Sequence, residues 1–208
     1  MQSTAYRLTE LFLIFVLIPI SFAIPYPVWI KLVIGVIGFA YVIFVLLRIE
    51  KFRVKINKNL NWKLFFKRTF LQLIFIALVT SVYVFFVDRT NLFTVVLNKP
   101  LLWIVILFVY SFFSVYPQEL IYRTFFFSRY QKLFKSERLF LLFNATLFSL
   151  AHIFFRNALV MVLTFVGGIL FALTFNKTRS TLLVSIEHAI YGSWLFTVGM
   201  GNMLGFPS

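Results

Sequence analysis

Eight side chains hold nearly all the acid–base chemistry open to this sequence. The carboxylates are Glu10, Glu50, Asp88, Glu119, Glu137 and Glu187, the imidazoles are His152 and His188, and there is no cysteine. Thiolate ligands, disulfides and a cysteine nucleophile are thereby excluded. Three places concentrate the set. In Tyr116-Pro117-Gln118-Glu119-Leu120-Ile121-Tyr122-Arg123, the i, i+4 spacing puts Glu119 and Arg123 on one helical face, where each charge offsets the other's desolvation. The others are Phe148-Ser149-Leu150-Ala151-His152 and Ile186-Glu187-His188, both inside apolar runs. Ionisable groups inside apolar helices are costly and are functional candidates for that reason. The competing structural reading is that each histidine is an interhelical hydrogen-bond partner and that Glu119/Arg123 is a staple.

Familiar hydrolase signatures are missing. There is no His-Glu-x-x-His, the aspartyl pair fails because Asp88 is the one Asp, and Gly192-Ser193 is a poor start for a serine site. Zinc is the metal that Glu119, His152 and His188 would suit, as two His and one Glu leave an open fourth position. Nothing in the spacing demands it, and the expectation is no cofactor.

The elements that must position these residues are apolar runs at 11–24, 29–47, 69–87, 101–116, 139–155, 158–175 and 181–198. With 62% hydrophobic and 12% charged residues and a mean hydropathy of +0.96, a water-facing surface cannot be built. The expected fold is all-α, a polytopic transmembrane bundle of about seven helices forming one domain over residues 1–208. Residues 11–23 resemble a secretory signal, but a first span is preferred because no polar mature domain follows. Pro25 and Pro27 mark a tight hairpin between the first two runs. Pro117 is expected to break the fourth run and start a new helix within the membrane. From a turn near Lys135 and Ser136, Glu119 and His152 are each about 16 residues away, so at ~1.5 Å per residue they stand at matched height, ~25 Å along an antiparallel hairpin. His188, about ten residues past Lys177–Arg179, also falls within the bilayer, so all three could share one pocket.

The net charge of +14 comes from basic clusters between apolar runs, with no basic domain to carry nucleic acid. If the runs alternate sides, Lys and Arg divide 16 to 4. The rich side holds Arg7; Arg48, Lys51, Arg53, Lys55, Lys58, Lys63, Lys67 and Arg68; Arg123, Arg129, Lys132, Lys135 and Arg138; and Lys177 and Arg179. The poor side holds Lys31, Arg89, Lys99 and Arg156. Moving Arg123 into the membrane leaves the bias intact. The positive-inside rule then puts the N-terminus in the cytoplasm and opens the expected pocket to the basic side.

Taken together, these residues resemble the CPBP family of intramembrane proteases, which includes CaaX-type prenyl proteases and bacteriocin-processing or immunity relatives. The family motifs are Glu-Glu-x-x-x-Arg, Phe-x-x-x-His and His-x-x-x-Asn/Asp. Gln118-Glu119-x-x-x-Arg123 keeps the second Glu and the Arg, Phe148-x-x-x-His152 is complete, and His188 begins the third. The likeness runs over about residues 101–192. It implies a glutamate-type endopeptidase acting on a membrane-associated or lipidated protein, located in the inner (plasma) membrane of a bacterium. Glu119 would position or activate water, Arg123 would orient Glu119, and His152 and His188 would hold that water or steady the oxyanion. Two departures bear on activity. Gln118 stands where the family has its water-activating Glu, and an amide is no general base at neutral pH. Gly192 stands where the family has an oxyanion-steadying Asn or Asp. Glu187 is a second candidate for the missing carboxylate, ranked below Glu119 because neighbouring helical residues point about 100° apart. Two alternatives stay open: a catalytically impaired binding or immunity factor of the same fold, and a small proton-coupled transporter using the three groups as a relay.

Overall fold

A computed structural model describes residues 3–52 and 61–205. Arg53, Lys55 and Lys58 of the largest basic cluster lie outside the described residues. We label the long helices α1 (Thr4–Phe22), α2 (Val28–Ile49), α3 (Trp62–Val87), α4 (Pro100–Leu133), α5 (Glu137–Leu150), α6 (Ala158–Thr178) and α7 (Thr181–Val198). A short helix, Thr94–Asn98, precedes α4, and no strand occurs among the described residues. The all-α polytopic architecture is therefore as expected.

Among the described residues six helices are long and apolar enough to cross a membrane: α1 to α4, α6, and α5 taken with the turn that extends it to Phe155. The seventh apolar run is helical as α7 but is not among the six. Glu187, His188 and several hydroxyl-bearing residues dilute its hydropathy. Large apolar side chains stand outward on α2, α3 and α4, including Val36, Ile37, Phe75, Phe86, Leu101 and Phe113. Lipid is the solvent such surfaces require, and the chain is an integral membrane protein.

Local chemistry explains where the helices start. Asn61 accepts from the Leu64 amide at the start of α3, Ser136 from Leu139 in α5, and Asn157 from Leu159 and Val160 in α6. Pro117 does not break the fourth run, contrary to expectation: α4 continues from Pro100 to Leu133. A π-helical turn at Tyr110–Val115 lies just before the proline, with the Tyr116 amide donating to Ser111. Widening the turn relieves the clash between the proline ring and the carbonyl four residues back. Pro19 in α1 is treated the same way, behind a π-helical turn at Leu13–Leu17.

The chain divides into two compact units. The first takes its residues from the segments Met1–Ile56 and Gln118–Thr181, the second from Asn57–Pro117 and Leu182–Ser208. In the first unit, Phe15 of α1 is fully buried among Tyr122, Phe125, Phe126 and Tyr130 of α4, with ring centroids 5.0–6.2 Å away. A charged cluster lies beside this aromatic core. Arg129 grips Glu10 through Nε (2.7 Å) and Nη2 (3.1 Å) and reaches Glu50 through Nη1 (3.0 Å). Tyr130 and Tyr41 both donate to Glu10. Arg129 was counted above as a loop charge; its side chain is fully buried on α4 and is paired with two carboxylates. At the turn after α6, Arg179 adopts a left-handed conformation (φ 52°) and donates to Gln131 and Asn176. Burial lowers its pKa from the ordinary arginine value, and Glu137 opposes that shift. In the second unit, Trp103 donates to Thr197 and Trp194 to Thr80, tying α4 and α3 to α7.

Candidate active site

Within the first unit the site is built on Arg123. Glu119 and Arg123 are both fully buried, one turn apart on α4, with Nε 3.3 Å from Oε2. The rest of the guanidinium is shared out: Nη1 donates to Asn144 Oδ1 (2.7 Å) and the Tyr122 carbonyl (3.3 Å), and Nη2 to the Gly168 carbonyl (3.3 Å). Asn144 in turn donates to the Tyr122 carbonyl at 2.8 Å. Three helices therefore hold one cation, and the cation holds Glu119.

His152 lies beyond the last turn of α5, not inside the helix. Its Nδ1 is 2.7 Å from the Phe148 carbonyl. A carbonyl can only accept, so Nδ1 carries a proton toward it, which fixes the orientation of the ring. Phe148 links the two halves of this arrangement. The Arg123 guanidinium sits 4.9 Å over its ring, and the His152 ring meets it edge-on at 4.8 Å. The Phe-x-x-x-His spacing thus gives the ring that separates histidine from arginine and the carbonyl that fixes the orientation of the histidine ring. Gln118 is half-buried on α4 beside Glu119.

His188, Glu187 and Gly192 belong to the second unit. His188 and Glu187 are buried on different faces of α7. Glu187 lies with Tyr191, whose hydroxyl is 3.1 Å from Glu187 Oε1 and 2.9 Å from Gln72 Oε1 on α3. His188 instead meets Tyr110 of α4, edge-on at 6.0 Å.

Among the described residues no group of three or more His, Asp or Glu could hold a metal ion. An open pocket in the first unit is lined by Glu50, Lys51, Phe127, Lys132, Arg179 and neighbours, and none of the candidate site residues lines it. The sequence reading missed Asn144 and Tyr110, and it met Gly168 only in a family-like Phe165-x-x-Gly168 stretch, without assigning it a role. Asn144 had a legible signal as a lone amide in an apolar run, and Gly167-Gly168 hinted at close helix packing. The chemistry of Tyr110 had no signal.

No curated protein and no solved structure matches the chain. Residues 100–194, a stretch that contains Gln118, Glu119, Arg123, His152, His188 and Gly192, match the family described as type II CAAX prenyl endopeptidase Rce1-like, and over that stretch the chain is similar to the CPBP/CaaX proteases.

Proposed function

We propose that the chain is an intramembrane endopeptidase of the CaaX-protease type, cleaving a membrane-associated or lipidated protein with a water activated by Glu119. The observation that carries this reading is the way Arg123 is held. Asn144, Gly168 and Tyr122 engage its terminal nitrogens while its Nε meets the Glu119 carboxylate, so the guanidinium fixes where that carboxylate points. A carboxylate held in one orientation beside a water can act as its general base. His152, its ring fixed by the Nδ1 contact, holds the attacking water, and the proton that Glu119 takes from that water passes to the leaving amine. The family resemblance assigns His188 to the developing oxyanion. Gln118, unable to take a proton, serves as an orienting amide.

Cleavage of a prenylated CaaX-type peptide by the purified chain in lipid vesicles tests the reading. Glu119→Gln and His152→Ala are expected to lower kcat by about 10²- to 10⁴-fold, the usual worth of a general acid or base. Retained cleavage in both, with the proteins still inserted, overturns it. Gln118 favours a second reading, a silent member of the fold that binds a partner. That reading expects no cleavage by the native chain and cleavage created by Gln118→Glu.

A further inference from the structure

Gly192 lies one helical turn after His188, on the same face of α7. A β-carbon built on it would run into the Tyr110 phenol, with the hydroxyl oxygen the nearest atom, followed by Cζ and Cε1. The phenol therefore fills the space that any side chain at position 192 would need. Its ring is edge-on to His188 on one side, at 6.0 Å, and edge-on to Phe196 on the other, at 4.8 Å. Tyr110 thus lies along one stripe of α7, spanning residues 188, 192 and 196. It is buried, and Ile106, Val115 and Val95 close the core behind it. The π-helical turn that accommodates Pro117 begins at Tyr110, so the same backbone device that keeps α4 continuous also sets where this ring points.

We infer that Tyr110 is a positioning residue for His188, its hydroxyl supplying the polar group beside the imidazole that position 192 cannot supply, and that Gly192 is required because it makes room for that phenol. The inference rests on the reading of His188 as a site residue. A phenol is a fair substitute for a side-chain amide here. Its O–H donates in a dry environment without ionising, and a ring gripped by Phe196 and His188 holds the hydroxyl with little rotamer freedom to lose.

Two measurements test this. In the vesicle assay, Tyr110→Phe is expected to lower kcat about 10- to 100-fold with KM unchanged, since the orientation of His188 is lost and substrate binding is not. Gly192→Asn alone is expected to lose both activity and thermal stability, and Tyr110→Ala with Gly192→Asn to recover at least part of both relative to that single change. The other measurement needs no turnover. The chain has two histidines, so ring resonances of histidine-labelled protein in detergent can be assigned with His152→Gln. Tyr110→Phe is expected to move the His188 signals and leave those of His152 in place. Wild-type kcat in Tyr110→Phe overturns the inference, as do His188 signals that do not move. If the native chain cleaves nothing, the peptidase reading falls and the resonances alone decide the role of Tyr110.

Discussion

The Arg123 guanidinium reaches oxygens of Glu119, Asn144, Gly168 and Tyr122, and that spread of partners decides what a change there would do. A planar five-donor fork can serve Glu119, Asn144, Gly168 and the Tyr122 carbonyl together; an ammonium on a flexible stem cannot. Arg123→Lys is therefore expected to keep the charge yet lower kcat at least about tenfold, with KM little changed, because Glu119 loses its orientation and not its counter-charge. Asn144→Ala probes the same cluster from the other side. It strips a buried donor of its acceptor, which costs about 1–3 kcal/mol, read as a lower melting temperature in detergent. At this scale the sequence was informative where spacing is local. Glu119 and Arg123 are four residues apart, as are Phe148 and His152, and both pairs are in contact. Asn144 and Gly168, 21 and 45 residues from Arg123, answer to no periodicity. They become visible only when α5 and α6 are laid against α4.

The elements succeed by how closely they approach. A β-carbon on Gly168 of α6 would stand 3.1–3.2 Å from the Cα, Cβ and carbonyl oxygen of Ala145 on α5, so these two helices meet backbone to backbone. That closeness, between small residues, brings the Gly168 carbonyl to Arg123. At Gly167 the same carbon would meet only the ring edge of Phe171, at 3.2 Å from Cε2. The neighbours therefore predict opposite outcomes. Gly167→Ala should be neutral or slightly stabilising, through the roughly 1 kcal/mol of helix propensity gained. Gly168→Ala should destabilise by about 1–3 kcal/mol and reduce activity as the helices are pushed apart. Thermal unfolding of the two variants in one detergent makes the comparison. Helix positions were readable from apolar runs and capping residues, but the continuity of α4 was not. Proline in a sequence announces a break, while the π-helical turn that spares one depends on the surrounding backbone and has no residue signature of its own.

At the scale of the molecule, the N-terminal half contributes more than apolar bulk. Glu10 on α1, Tyr41 on α2, Glu50 just past α2, and Arg129 and Tyr130 on α4 join segments up to 120 residues apart around one buried carboxylate–guanidinium pair. No pattern in the sequence could pair Glu10 with Arg129, because the contact exists only after α1 has packed Phe15 against α4. Read as a string, Arg129 is one more basic residue in a loop cluster; in the fold it sits in the last turns of α4, where a cation also suits the helix dipole. Breaking such a pair leaves a bare charge in a low-dielectric interior, which costs about 3–5 kcal/mol, whereas replacing both members with apolar residues of similar size removes the desolvation penalty with the attraction. Glu10→Gln and Arg129→Met are each expected to cut the yield of folded protein and lower its melting temperature by several degrees. The double change Glu10→Leu with Arg129→Met is expected to recover much of that loss. None of the three touches Glu119 or His152, so kcat measured on the folded fraction should stay at the native value. A double variant as unstable as the sum of the singles would mean that Glu10 and Arg129 act independently, and would remove the pair as the tie that fastens α1 and α2 to the helix bearing Glu119.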